Sequence, residues 1–194
     1  ALRLRDVSKV FATSAAPVVA LDRVTIDIAR GEFVCIVGAS GCGKSTLLSL
    51  VAGLDHASSG EVDARGRVAL MFQEAALLPW RTAAENVELA LKLRGVPRTE
   101  RRPRALELLA TVRLSEFADR RPHELSGGMR QRVALARSLA QEADILLMDE
   151  PFGALDAITR DVLHDELERV VAETGLTVLF VTHNVREAAR LGDR

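Results

Sequence analysis

Gly38-Ala39-Ser40-Gly41-Cys42-Gly43-Lys44-Ser45-Thr46 fits the spacing G-x-x-x-x-G-K-[ST], and its flanks fit as well. Phe33 to Val37 before it is a continuous apolar run with two Val and an Ile, the pattern of a strand buried on both faces. From Ser45 to about Gly53 the pattern is helical. A buried strand, a glycine-rich loop and a helix make a phosphate cradle. Glycines let backbone N–H groups turn inward around an anion. The helix N-terminus adds its dipole. Lys44 supplies a mobile charge for β- and γ-phosphates, and the Ser45 hydroxyl suits Mg²⁺. An ordinary strand-to-helix turn has no need of Lys followed by Ser.

Two further stretches extend this reading. Ile145-Leu146-Leu147-Met148-Asp149-Glu150 is an apolar run ending in two acids. Carboxylates at the C-terminal end of a buried strand lie where open α/β sheets bind ligands. Asp149 suits Mg²⁺ through water, and Glu150 suits polarising an attacking water. Leu125-Ser126-Gly127-Gly128-Met129-Arg130-Gln131-Arg132 places an N-cap Ser and two Gly ahead of a helix carrying Val133, Ala136 and Leu139. Glycine is a poor first-turn residue unless something comes close to the backbone, so this is a candidate second phosphate site.

Around these motifs the chain alternates strands and helices. Leu2, Leu4 and Val7, then Leu21, Val24, Ile26 and Ile28, read as strands on either side of a loop at 12–17. Val68–Phe72, Ile145–Met148 and Val178–Val181 read as short buried strands. Arg81 to Gln141 is helical, broken at Gly95-Val96-Pro97. A later helix carries Ile158, Val162, Leu163, Leu167, Val170 and Val171 on one side and stops at Gly175. The expected layout is an α/β core with a mainly parallel sheet, an antiparallel β portion at the start and a helical insertion in the middle.

Composition narrows the partners. With 194 residues, 48% of them hydrophobic and 27% charged, the chain has globular composition. The net charge of −1 provides no basic field for nucleic acid, so any anion site must be local. The cluster Arg98, Arg101, Arg102 and Arg104 has no interleaved aromatics and reads as a solvated helix face. No apolar run approaches the ~18 residues of a membrane span, and the opening Leu2-Arg3-Leu4-Arg5 alternates unlike a leader. Cys35 and Cys42 are too few for a disulfide framework or a zinc site, which points to a reducing compartment. His56, His123 and His164 are assigned no role.

Together the three motifs resemble the ATP-binding-cassette (ABC) ATPase family, with Walker A at Gly38–Thr46, the LSGG signature at Leu125–Gln131 and Walker B at Ile145–Glu150. Gln73 looks like the Q-loop glutamine, Gly153-Ala154-Leu155-Asp156 like the D-loop and His183 like the switch histidine. Phe11 looks like the aromatic that stacks on adenine. The resemblance covers the whole chain and implies a P-loop NTPase (RecA-like) core, with the helical subdomain at about 81–141. Members usually continue past the histidine, so it also implies residues beyond Arg194.

The resemblance implies ATP and Mg²⁺ as ligands. Glu150 would be the general base, with Lys44, His183 and Gln73 completing the catalytic set. Gly38 to Thr46, Phe11, Ser126, Gly127, Gly128 and Asp156 would bind nucleotide, and Ser45, Gln73 and Asp149 would serve the metal. It implies an ATP-dependent head-to-tail homodimer on the cytoplasmic face of a membrane. There the dimer would energise a separate permease fed by an external solute-binding protein. Asp149–Asp156 with Thr159-Arg160, and Leu77-Leu78-Pro79-Trp80, resemble the nitrate/sulfonate/taurine importer group. Gly41–Asp55 also resembles lipoprotein-release ATPases, but Phe152 and Ala154 depart from their usual Thr and Asn. A soluble ABC ATPase of DNA repair or the ribosome fits less well, because one cassette without long heptads is present. A small-molecule kinase is opposed by the LSGG sequence.

Overall fold

A computed structural model describes all residues except 13–15, so the loop expected at 12–17 lies partly outside the described residues. Seven strands and six α-helices follow in the order β1 (Leu2–Phe11), β2 (Val18–Ile28), β3 (Phe33–Val37), α1 (Lys44–Val51), β4 (Ser59–Ala64), β5 (Val68–Met71), α2 (Ala83–Leu93), α3 (Arg98–Thr111), α4 (Gly127–Leu139), β6 (Ile145–Asp149), α5 (Ala157–Thr174), β7 (Thr177–Thr182) and α6 (Val185–Leu191) among the described residues. The chain divides into two units. The first holds Ala1–Leu70, Asp144–Glu150 and Gly175–Arg194; the second holds Met71–Ala143 and Pro151–Thr174.

The first unit contains both sheets except Met71, the last residue of β5. One has the order β2-β1-β4 and is antiparallel; the other has the order β3-β7-β6-β5, with β7 parallel to both β3 and β6. β7 is buried along its whole length and β6 up to Met148, as expected of inner strands covered on both faces. Leu2, Leu4, Val7 and Ile28 from the antiparallel sheet join Leu47, Leu48, Leu147, Leu179 and Val181 in one core. β1 buries Leu4 and then Val7, three residues on, because a bulge interrupts the pairing there. Asp6 takes the extra position with φ +47°, and its N–H donates to the Thr25 hydroxyl at 3.0 Å.

β4 has no counterpart in the sequence reading. Its residues SGEVDA include one large aliphatic, Val62, and four types depleted in strands, Gly, Glu, Asp and Ala. Pairing with β1, Leu4 against Val62 and Leu2 against Ala64, makes it a strand. Strand β5 ends at Met71 rather than Phe72, and Phe72 is exposed.

The second unit is helical. Thr82 and Glu85 form a reciprocal capping box that starts α2, with Glu85 N–H to Thr82 Oγ1 at 3.2 Å and Thr82 N–H to Glu85 Oε2 at 2.8 Å. Pro97 precedes α3 where the Gly95–Pro97 break was expected. The apolar stripe expected on α5 is narrower than its sequence suggests. Leu163, Leu167 and Val170 are buried, whereas Ile158 is 79% exposed and Val162 is 43% exposed. At about 100° per residue the three buried positions fall within roughly 60° of one another, and Ile158 lies roughly 120–180° away. Its position in the first turn of α5 leaves Ile158 outside the packed stripe.

Leu147 lies mid-strand in β6 and is fully buried. Leu147→Ala should lower the unfolding free energy by about 2–5 kcal/mol, read from the denaturant midpoint. A shift under about 0.5 kcal/mol would contradict the placement of the core.

Candidate nucleotide-binding site

The loop between β3 and α1 turns on two left-handed glycines, Gly41 with φ +80° and Gly43 with φ +94°. Gly43 is the N-cap of α1 and supplies no side-chain acceptor, and no acid stands in the first turn. The positive end of α1 is therefore left for an external anion. A side chain at Gly43 would place Cβ 2.3 Å from the Ala20 carbonyl oxygen. Ala39, Ser40, Gly41 and Cys42 lie exposed along the loop, Ser45 is exposed on the first turn, and Gly38 and Thr46 are half-buried.

Lys44 is 7% exposed, and its ammonium sits inside the loop. Nζ donates to the carbonyl oxygens of Gly38 and Ala39, each at 2.7 Å, and lies 3.5 Å from Glu150 Oε1. A buried ammonium needs such partners, because desolvation disfavours a bare charge. Cys42 Sγ is 3.9 Å from the same nitrogen. Both cysteines are free thiols; burial, then the charges of Glu187 and Asp193, push Cys35 up to about 11.

Glu150 follows β6 with φ +43°, and its N–H donates to the Val181 carbonyl at 2.9 Å. Its other carboxylate oxygen lies 2.8 Å from Nδ1 of His183. The structure thus brings Lys44, Glu150 and His183 together around the loop. Asp149 ends β6 half-buried, opposite Val181. The turn that carries His183 is fixed by Thr182, whose hydroxyl donates to Glu187 and accepts the Asn184 N–H at 3.0 Å. Phe11 closes β1 with 40% of its surface exposed, and Lys9 Nζ lies 5.0 Å from the ring centroid. Lys9 is itself held by Asp55 at 2.7 Å and by the His56 carbonyl at 2.8 Å. The Lys9 contact, then the His56 N–H, hold the Asp55 carboxyl below its usual range.

The remaining candidates belong to the second unit. Ser126 caps α4, accepting the Met129 N–H at 3.2 Å. The glycines after it have a reason inside the chain. A Cβ at Gly128 would lie 2.3 Å from Thr159 Cγ2, and one at Gly127 3.2 Å from Leu155 Cδ2. Close approach of α5, and not of a ligand alone, requires Gly128. Asp156 accepts the Thr159 N–H at 3.0 Å and the Thr159 hydroxyl at 2.7 Å, and these two bonds hold its carboxyl below the usual range. It starts α5 in the manner of an N-cap. Gln73 is exposed two residues beyond β5, and its carbonyl accepts Gln131 Nε2 at 2.7 Å. Gln131, the last residue of the signature stretch, and Arg137 and Asn86, which no local motif marks, hold the backbone after β5 with their side chains.

The groups of the first unit expected to serve Mg²⁺ are the Ser45 hydroxyl, exposed on the first turn of α1, and the half-buried Asp149 carboxylate. Both are hard oxygens of the kind Mg²⁺ takes alongside water and phosphate, so the residues fit the ion.

Gly43→Ala should weaken ATP binding by ~10-fold or more, since both φ and the Ala20 contact oppose a side chain. Fluorescent-nucleotide titration measures it. Unchanged affinity in a protein with unchanged melting would contradict the geometry of the loop.

Residues 21–153 match the ABC transporter family. The chain is 51% identical over 181 residues to the taurine import ATP-binding protein TauB of Rhizobium johnstonii, covering 89% of this chain and 69% of that one. It is 51% identical over 200 residues to the aliphatic sulfonates import ATP-binding protein SsuB of Burkholderia ambifaria, covering 100% and 60%. Its fold matches a dimeric ATP-binding cassette bound to ADP and Pi in a post-hydrolysis state, with TM-score 0.87 and 38% identity over 100% of this chain and 92% of that one. A match over most of the chain, added to the phosphate loop and its carboxylate partner, places this protein in the ABC transporter family of ATPases.

Proposed function

We propose that this chain is the ATP-hydrolysing subunit of an importer, acting as a head-to-tail homodimer on the cytoplasmic side of a separate permease. The observation that carries the reading is the Lys44–Glu150–His183 cluster under the uncapped N-terminus of α1. Among the described residues no helix is long and apolar enough to cross a membrane. Both relatives named above are import ATP-binding proteins, which favours import over lipoprotein release. The solute we assign is a small solute of the nitrate, sulfonate or taurine type, delivered by an external binding protein.

The chemistry follows from the cluster. Glu150 faces Lys44 at 3.5 Å and His183 at 2.8 Å. Phosphate oxygens compete for these two cationic or hydrogen-bonding groups. When ATP takes them over, the Glu150 carboxylate is released to accept a proton from water. The water oxygen attacks the γ-phosphorus, the bond to the β–γ bridging oxygen breaks, and ADP and Pi result. Mg²⁺, when bound by Ser45 and Asp149, neutralises charge on the phosphates; Gln73 is assigned to sensing that ion. Phe11 would stack on the base with the ring face opposite Lys9. Ser126, Gly127 and Gly128 of a second copy would meet the γ-phosphate at the start of α4. Asp156 would act at the same junction between copies.

Glu150→Gln keeps the shape and removes the base. It should still bind ATP, with turnover lower by roughly 10²–10⁴-fold. Wild-type turnover would overturn the role of Glu150. Purified with ATP and Mg²⁺ from detergent-solubilised cells, the same variant should bring down a multi-spanning membrane protein. Ribosomal or DNA-repair factors in its place would overturn the importer reading and leave the ATPase chemistry intact.

A further inference from the structure

From Phe72 to Thr82, between β5 and α2, the chain has no helix or strand, yet side chains hold its backbone at Gln73, Ala75, Ala76, Leu78, Arg81 and Thr82. Gln131 and Arg137 reach it from α4. Gln131 Nε2 donates to the Gln73 carbonyl at 2.7 Å. The two terminal nitrogens of Arg137 donate to the Ala75 and Ala76 carbonyls at 2.8 and 2.7 Å. From α2, the fully buried Asn86 accepts the Leu78 N–H at 2.8 Å and donates to the carbonyls of Thr82 at 2.9 Å and of Leu78 and Arg81 at 3.3 Å. All of these residues belong to the second unit.

Arg137 is the unusual member. Its guanidinium is part-buried, and those two nitrogens go to two neutral carbonyls. Burial alone pulls its pKa down from the usual arginine value. Lodging a cation against neutral acceptors is a costly way to fasten a loop. Ala76, one of its acceptors, has φ +44°, a conformation that a non-glycine residue keeps only when its surroundings enforce it. The planar fork of arginine spans two successive carbonyls in a way that a lysine ammonium does not.

We propose that Arg137 and Gln131 are positioning residues that strap the backbone of Gln73–Ala76 to α4. Gln73 and the Ser126–Gly128 end of that helix then move as one body. The strap rests on the functional reading above for its consequence, because that reading gives Gln73 and Ser126–Gly128 their roles. The exposed Trp80 lies on the same segment, between the Ala75 and Ala76 carbonyls tied to α4 and the Arg81 and Thr82 carbonyls tied to α2 by Asn86.

Two readouts on the full chain test this separately. Native-state cleavage after Glu74 by a glutamate-specific protease reports opening of the segment. Arg137→Met should raise its rate ~10-fold, with melting and cleavage elsewhere little changed, and Arg137→Lys should restore part of the protection. Unchanged cleavage in folded Arg137→Met would overturn the strap. Steady-state ATPase kinetics give the second readout. Arg137→Met should lower kcat ~10-fold with KM for ATP within about twofold, and should cost less than about twofold more in a Gln73→Ala background. Losses that multiply in the double variant would show Arg137 acting independently of Gln73 and overturn its positioning role. Full turnover in Gln73→Ala, with cleavage raised in Arg137→Met, would leave the strap standing and overturn the role given to Gln73.

Discussion

One ammonium group, buried in a loop of its own making, organises the phosphate end of this molecule. Lys44 follows two left-handed glycines and folds back to donate to the carbonyls of Gly38 and Ala39. That closes the loop and fixes where its N–H groups point. The third direction of the ammonium faces Glu150, which β6 delivers and which His183 holds from β7. The parallel pairing of β6 and β7, Asp149 against Val181, puts the carboxylate and the imidazole side by side. The strained φ of Glu150 is kept by its N–H bond to Val181 in the neighbouring strand. The site is therefore a consequence of strand order as much as of the loop.

The same constraint separates two kinds of glycine. Gly43 gives up its side chain to the Ala20 carbonyl and to a backbone angle, and by doing so leaves α1 uncapped. Gly128 gives up its side chain to Thr159 of α5. Internal packing leaves the start of α1 uncapped, where it can attract phosphate, while at α4 it buries Gly128 and leaves Ser126 exposed ahead of it. The second start differs in one respect, because the Ser126 hydroxyl already satisfies one of its N–H groups. In the dimer proposed above, a triphosphate bridging two copies would use both.

The phosphate loop, the acidic end of β6 and the signature were legible in the sequence because each is local. A strand, a turn and a helix start are written within a dozen residues. The family comparison agrees with that reading of fold and ATPase activity. What could not be read is non-local. β4 is a strand only because β1 pairs with it, and the Asp6 bulge exists only within that pairing. The exposure of Ile158 depends on which face of α5 finds neighbours. The bonds from Gln131 and Arg137 span 58 to 62 residues and leave no periodic trace. Asp156 could be read as part of a motif but not as the residue that starts α5.

In the proposed assembly ATP joins two copies by way of α1 of one and α4 of the other. Light scattering on Glu150→Gln tests it most directly when combined with Ser126→Asp. Asp keeps the cap on α4 and places a negative charge where the phosphate would sit. The mass should double with ATP and Mg²⁺, stay single with ADP, and stay single with ATP once Ser126→Asp is added, although that chain still binds nucleotide. A doubled mass that ignores Ser126→Asp, or a single mass with ATP fully bound to Glu150→Gln, would contradict it.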